Sequence, residues 1–268
     1  MLKLLKYEWK ACARTCLPMY AAVLLLALVN RLTMKDQVQE LFHGIPTALM
    51  GLLYFGVMVA VFVVTAVILI QRFYKNLLGD EGYLMFTLPV TVSQHIWAKT
   101  IIAVAMSIIS IAAAVLSIGI IGSGAQMLVG LGDVLAGIGK SFTSDPNTLF
   151  YTLESIIWLL LLAGAAMLFI YLCMALGHLA KKHRVLMSVV WYFVLSTIAQ
   201  FLFMFFIMGV GNLPLKGFWM ALNDFFYGVG VAGTIHIGMI TLCLGTAVVG
   251  AVFFLATRYI LKNKLNLE

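Results

Sequence analysis

The sequence has few charged residues. Asp, Glu, Lys and Arg make up 10% of its 268 residues, whereas soluble domains carry roughly 25%. Hydrophobic residues make up 63%, and a soluble globule of this size could not bury so much apolar surface. These proportions exclude a soluble enzyme and a disordered chain. They predict an integral membrane protein.

Residues that could form a catalytic or metal site are also scarce. The chain has four Cys and five His, and it contains neither a His-Glu-x-x-His zinc motif nor the paired Glu of an intramembrane protease. His178 and His183 are five residues apart and do not share a helix face. His236 stands alone in the sequence, which favours core packing or pore lining over ligation. We therefore expect a protein that is not an enzyme and holds no cofactor or metal of its own.

Six long stretches without charged residues predict six transmembrane helices. A helix crosses about 30 Å of hydrocarbon with about 20 residues, so each stretch holds one crossing. No stretch alternates apolar and polar residues, which excludes transmembrane strands. The predicted fold class is an all-α polytopic membrane protein, with residues 1–268 forming a single transmembrane domain. The stretches are residues 15–30, 44–71, 100–132, 155–180, 185–215 and 225–257.

Lys and Arg divide unevenly between the two sides of these spans. Of the 17 Lys and Arg residues, only Arg31, Lys35, Lys140 and Lys216 lie between spans 1 and 2, between spans 3 and 4, or between spans 5 and 6. The rest lie before span 1, between spans 2 and 3, between spans 4 and 5, and after span 6. Because cytoplasmic segments carry the excess of Lys and Arg, both termini are predicted to be cytoplasmic.

Residues 1–14 are predicted to form an interfacial helix that precedes span 1. Leu2, Leu5, Trp9, Cys12 and Cys16 recur at helical spacing and form an apolar face. A neighbouring face is basic, which suits a helix lying flat on an anionic inner leaflet. A frayed basic tail is the alternative. The predicted membrane-interface residues are Lys3, Lys6, Trp9, Lys10 and Arg14.

Two of the predicted outer segments carry helix signals. Asp145 and Pro146 are typical of a helix start and predict that the fourth helix begins there and runs to about Ala180. Residues 212–233 are aromatic, nearly uncharged and interrupted by Pro214 and several glycines. This segment fits either a re-entrant or interfacial pair of short helices, or an aromatic belt at the headgroups.

The cytoplasmic link between spans 2 and 3, residues 71–99, differs from the other connections. Gly79 and Gly82 bracket an acidic pair, and an apolar, aromatic run then ends at Pro89. A short amphipathic helix ending before Pro89 would present Leu84 and Leu88 outward. Exposed apolar groups on a cytoplasmic turn favour a protein partner. A helix that rests on lipid is the alternative.

These residues resemble a signature of type-two ABC exporter permeases. Glu81, Leu84 and the run Thr87-Leu88-Pro89-Val90, with Ile96 and Lys99 leading into span 3, are similar to the stretch that follows span 2 in that family. The run Leu-Leu-Lys-Tyr-Glu-Trp-Lys at residues 4–10 resembles the family's opening interfacial helix. Six spans with both ends inside match its topology over the whole chain. The sequence of residues 79–89 most resembles that of permeases from Firmicutes-type bacteria.

The resemblance implies a permease subunit in a bacterial plasma membrane. Two such subunits, identical or different, would form the translocation path, and a separate ATP-binding cassette subunit would bind ATP beneath them. The link would be the coupling segment that docks into that subunit. Nucleic acid is not an expected partner, and the cargo (peptide, lipid or drug) stays open. The implied ATPase-coupling residues are Asp80, Glu81, Tyr83, Leu84, Phe86, Thr87, Leu88 and Pro89.

The leading alternative is a membrane sensor or immunity protein that binds a peptide or lipid and transports nothing. Such a protein has no need of a coupling segment. A proton-coupled transporter is disfavoured because the predicted spans contain almost no charged residues, which usually mark an ion or proton pathway. Glu154 and Asp224 lie only at predicted outer helix ends.

Overall fold

The protein is built from six long helices. A computed structural model describes residues 2–33, 45–79, 82, 90–122, 146–180, 182–211 and 216–264, and a few positions between 130 and 140. A π-helical turn, Tyr74–Leu78, follows the second long helix. The long helices are α1 (Leu2–Thr33), α2 (Ile45–Phe73), α3 (Val92–Ile121), α4 (Pro146–His178), α5 (Arg184–Gly211) and α6 (Lys216–Asn263).

All six helices are long and apolar enough to cross a membrane. The shortest candidate span covers 26 residues, and about 20 suffice for the hydrocarbon core. Large apolar side chains are exposed along every helix, as expected where lipid is the solvent. The predicted all-α class is confirmed, as are six long apolar helices that could cross a membrane.

The helices group into two compact units. The first, Met1–Lys75 with Leu88–Ser141, contains α1, α2 and α3. The second, Asn76–Thr87 with Phe142–Glu268, contains α4, α5 and α6.

In the first unit, α1 packs against both α2 and α3. The face of α3 that is buried carries small residues, such as Ala103, Ser110 and Ser117, and small residues let membrane helices approach closely. Polar side chains also join the helices. The Tyr20 hydroxyl lies 3.2 Å from Thr65 Oγ1 and donates to the Met106 carbonyl at 3.4 Å.

Helix α1 differs from its prediction. We expected a separate interfacial helix before span 1, but residues 2–33 form one uninterrupted helix that contains Pro18. Cys12 and Cys16, predicted on the apolar face of that helix, are packed within the protein and are 2% and 0% exposed. The reason is that one side of α1 packs on the protein along nearly its whole length. Most of its buried residues recur at three- and four-residue spacing, namely Glu8, Cys12, Cys16, Tyr20, Val23, Ala27 and Asn30, and Ala13 is buried beside them.

In the second unit, α4 packs against both α5 and α6. The helix begins at Pro146 as predicted, because proline suits the first helical turn, where its missing N–H is not needed. A small apolar core forms from Leu172 and Ala175 of α4 with Ile260 of α6. At the end of α4, Gly177 lies so close to Ser188 of α5 that a Cβ atom would overlap it.

Helix α6 is interrupted once. Its residues are helical from Lys216 to Asn263 except for Gly230, whose φ of 77° and ψ of 173° are not helical. Residues 212–215, including Pro214, lie outside the described residues. The segment predicted as re-entrant or interfacial therefore contains one short helix, residues 216–229, and then a break.

Candidate functional site

The first unit contains a cluster of buried charges centred on Glu8. This residue is the only acid in α1, and it is 5% exposed. It lies on the packed face of the helix, four residues before Cys12. The surrounding Lys3, Lys6 and Lys10 are exposed on other faces of α1. The one carboxylate of α1 therefore points into the protein.

Each carboxylate oxygen of Glu8 binds a cation from a different helix. Lys99 of α3 donates from Nζ to Oε1 at 2.8 Å, and Arg72 of α2 donates from Nη2 to Oε2 at 3.0 Å. Lys99 also donates to the backbone carbonyl of Arg72 at 3.4 Å. Three helices are therefore tied together by one carboxylate.

Local sequence places the two cations. Thr91 caps α3: its Oγ1 accepts from the Gln94 backbone N–H, and the Gln94 side chain accepts from the Thr91 N–H. Such a capping box fixes where a helix starts, so Lys99 lies about two turns into α3. Arg72 lies in the last turn of α2, next to the fully buried Phe73.

The cluster holds two cations against one carboxylate. The Lys99 and Glu8 side chains are 5% and 7% exposed, whereas that of Arg72 is 26% exposed. Charges this deeply buried are stable only when they are paired and hydrogen-bonded. The contacts of this site join α1, α2 and α3. We call Glu8, Arg72 and Lys99 the charge clamp.

The clamp lies at both ends of the link between spans 2 and 3. Arg72 is the second residue of that link and Lys99 is its last. Because both cations bind Glu8, the two ends of the link are anchored at one point on α1.

Most of the predicted coupling residues lie outside the described residues. Around them the structure shows only Gly82, whose N–H donates to the Gly79 carbonyl at 2.8 Å, and Val90 before the Thr91 cap. The coupling residues outside the description are Asp80, Glu81, Tyr83, Leu84, Phe86, Thr87, Leu88 and Pro89.

The predicted membrane-interface residues all lie on α1 and are exposed. Trp9, the only aromatic one, is 40% exposed. The four cations lie on the side of α1 opposite the packed face, as their spacing requires at 3.6 residues per turn. These residues are Lys3, Lys6, Trp9, Lys10 and Arg14.

Sequence reasoning missed Glu8 as a site residue. It used Glu8 only as part of the run at residues 4–10 that resembles the family's opening helix, and did not ask which cation would pair with it. A signal was present, since Glu8, Cys12, Cys16 and Tyr20 recur every four residues, which puts the acid on the face with the least polar neighbours. An acid on such a face needs a buried cation, and Arg72 and Lys99 are cations at the same predicted side of the membrane.

A second polar contact lies in the second unit and corrects one prediction. His236 was predicted to be unaccompanied, but its Nδ1 lies 2.9 Å and 3.1 Å from the two Glu154 carboxylate oxygens. The ring of Tyr151 packs against the imidazole with 4.4 Å between centroids. The pair joins α4 to α6. It was missed because 82 residues separate the partners in the sequence.

Among the described residues, no group of three or more His, Cys, Asp or Glu side chains could hold a metal ion. The chain matches no protein-family model, and no curated protein and no solved structure matches it either.

Proposed function

We propose that this chain is the membrane-spanning permease subunit of an ATP-driven exporter of the type-two ABC class. It forms part of the translocation path, and a separate ATP-binding cassette subunit docks on residues 80–89. A second permease subunit completes the path. The location is a bacterial plasma membrane, with both termini in the cytoplasm.

The observation that carries the proposal is the charge clamp. A coupling segment must pass a displacement of its docking partner into the membrane helices. The clamp joins both ends of the link, residues 71–99, to α1, through Arg72 at 3.0 Å and Lys99 at 2.8 Å from Glu8. The helices on either side of the proposed docking residues, α2 and α3, are therefore both tied to α1.

The distribution of charge also supports the proposal. Lys and Arg are concentrated in the connections predicted to face the cytoplasm, the side on which ATP is available. Among the described residues of α4, α5 and α6, the only acids are Glu154 and Asp224, and Glu154 is paired with His236. A chain with so few ionisable groups in its spans is poorly suited to drive transport with an ion or proton gradient. A nucleotide-binding partner would supply the energy instead.

Purification of the tagged chain from its native membrane in mild detergent tests the proposal. We expect an ATP-binding cassette subunit to co-elute in stoichiometric amount, identified by mass spectrometry. Recovery of the chain alone, or with a partner that binds no ATP, would contradict the proposal. That result would favour the membrane sensor or immunity protein.

A substitution in the docking segment sharpens this experiment. Leu84→Asp places a charge in the proposed apolar contact, so the ATP-binding subunit should be lost while the chain still inserts. The matched control is Leu2→Asp, an exposed leucine (83% exposed) in the cytoplasmic part of α1. This variant should retain the partner. Equal retention in both variants would exclude residues 80–89 as the docking segment.

A further inference from the structure

The break in α6 divides this helix into two parts that differ in their contacts. In residues 216–229, every described side chain is exposed except Phe226, which is half-buried. Tyr227, for example, is 79% exposed and Met220 is 62% exposed. Among the described side chains of this part, which we call the lever, only Phe226 is packed within the protein.

The part of α6 that follows the break is attached to α4 by side-chain contacts. His236 binds both carboxylate oxygens of Glu154, at 2.9 Å and 3.1 Å. The Tyr151 hydroxyl donates to the Ala232 carbonyl at 3.1 Å, only two residues beyond the break. We call Tyr151, Glu154 and His236 the latch.

The break itself depends on glycine. The φ of 77° and ψ of 173° at Gly230 lie in a backbone region that is open almost only to glycine. No neighbouring atom lies within 4 Å of where its Cβ would be, so space alone would admit alanine. The conformation, rather than packing, requires glycine at this position.

The Thr234 hydroxyl makes hydrogen bonds at the break. The Thr234 hydroxyl lies 2.8 Å from the Gly230 carbonyl and 3.4 Å from that of Phe226. A side chain beyond the break therefore bonds the carbonyl of Gly230 at the break and that of Phe226 before it.

From these contacts we infer that Gly230 is a hinge about which the lever moves, while the latch fixes the rest of α6 to α4. The hinge separates two parts of α6. The lever before it has few described contacts, and the part after it is held to α4 by the latch. The inference does not depend on the proposed function, because it concerns contacts within one three-helix unit.

Distances between spin labels test the hinge. Met220→Cys and Leu244→Cys, both at exposed positions, are labelled in a chain whose native cysteines are replaced by alanine. A continuous helix would separate their Cα atoms by about 36 Å, at 1.5 Å per residue. We expect a shorter and broader distribution in the parent chain. Gly230→Ala should lengthen and narrow it, because alanine favours helical φ.

Gly228→Ala is the matched control for the hinge. Gly228 also has no atom within 4 Å of its Cβ position, but its φ is not in the positive region. This variant should leave the distance distribution as it is in the parent chain. Identical distributions in the parent chain and Gly230→Ala would overturn the hinge.

The latch is tested separately, with labels at Leu153→Cys in α4 and Ile240→Cys in α6. His236→Phe keeps a ring against Tyr151 but removes the contact with Glu154, so the distribution of distances should broaden. The control is Thr241→Val, since the Thr241 hydroxyl bonds only its own helix at Ile237. An unchanged distribution in His236→Phe would overturn the latch whether or not Gly230→Ala folds.

Discussion

At the scale of single residues, the charge clamp shows how one acid can organise a membrane unit. Glu8 is the only carboxylate in α1, and both of its oxygens bind cations. Lys99 is only 6% exposed, so little water reaches its ammonium group, and Glu8 supplies the counter-charge. The two cations could be located from sequence, because they flank uncharged stretches. Their shared partner Glu8 could not be located from sequence, since it lies 64 residues from Arg72 and 91 residues from Lys99.

The loss of Glu8 should therefore be costly. Glu8→Gln leaves the Lys99 ammonium buried without a counter-charge, which should lower the free energy of unfolding by about 3–5 kcal/mol. Denaturant unfolding of the detergent-purified chain measures this change. Asp224→Asn is the control, because Asp224 is exposed and its loss should change stability by less than about 0.5 kcal/mol.

Removal of the buried Lys99 charge should restore much of the stability that Glu8→Gln loses. In the double variant Glu8→Gln with Lys99→Met, no ammonium is left unpaired, and Arg72 still reaches solvent with 26% of its side chain. This variant should be more stable than Glu8→Gln alone. If Glu8→Gln proved no less stable than Asp224→Asn, the clamp would not be a stabilising contact.

At the scale of helices, charge patterns predicted six long apolar helices but not where those helices begin and end. Helix α3 begins at Val92, well before its uncharged stretch starts at Thr100, because the Thr91 capping box sets its start. Lys99, paired with Glu8, lies inside the helix. Helix α1 likewise runs through its basic residues. The start of α4 at Pro146 was predicted correctly because it depends only on local sequence.

The approach of α4 to α5 gives a second stability prediction. A Cβ atom at Gly177 would overlap the backbone N, Cα and Oγ of Ser188, so Gly177→Ala should force these helices apart. Overpacking of this kind costs about 1–3 kcal/mol, and it should lower the melting temperature of the purified chain.

Gly164→Ala is the matched control in the same helix. No atom lies within 4 Å of the Gly164 Cβ position, and alanine in a helix interior is favoured over glycine by roughly 0.5–1 kcal/mol. This variant should melt at the same temperature as the parent chain or higher. Equal melting of the two variants would show that the helices do not meet at Gly177.

At the scale of the whole molecule, composition and hydropathy were enough to predict six apolar helices. The grouping of α1–α3 and α4–α6 into separate compact units could not be predicted. It depends on which small and polar side chains meet across helices, such as Tyr54 with Ser117 at 2.7 Å. Contacts of this kind leave no periodic signal along a single chain.

The central claim is that residues 80–89 dock on an ATP-binding subunit, and a photo-crosslinking amino acid at Leu84 tests it most directly. After irradiation of native membranes, we expect a covalent adduct with an ATP-binding cassette protein, identified by mass spectrometry. The same probe at Tyr227, an exposed residue of the lever, should give no such adduct. Crosslinks from Leu84 to lipid alone, or to a protein without an ATP-binding site, would contradict the account.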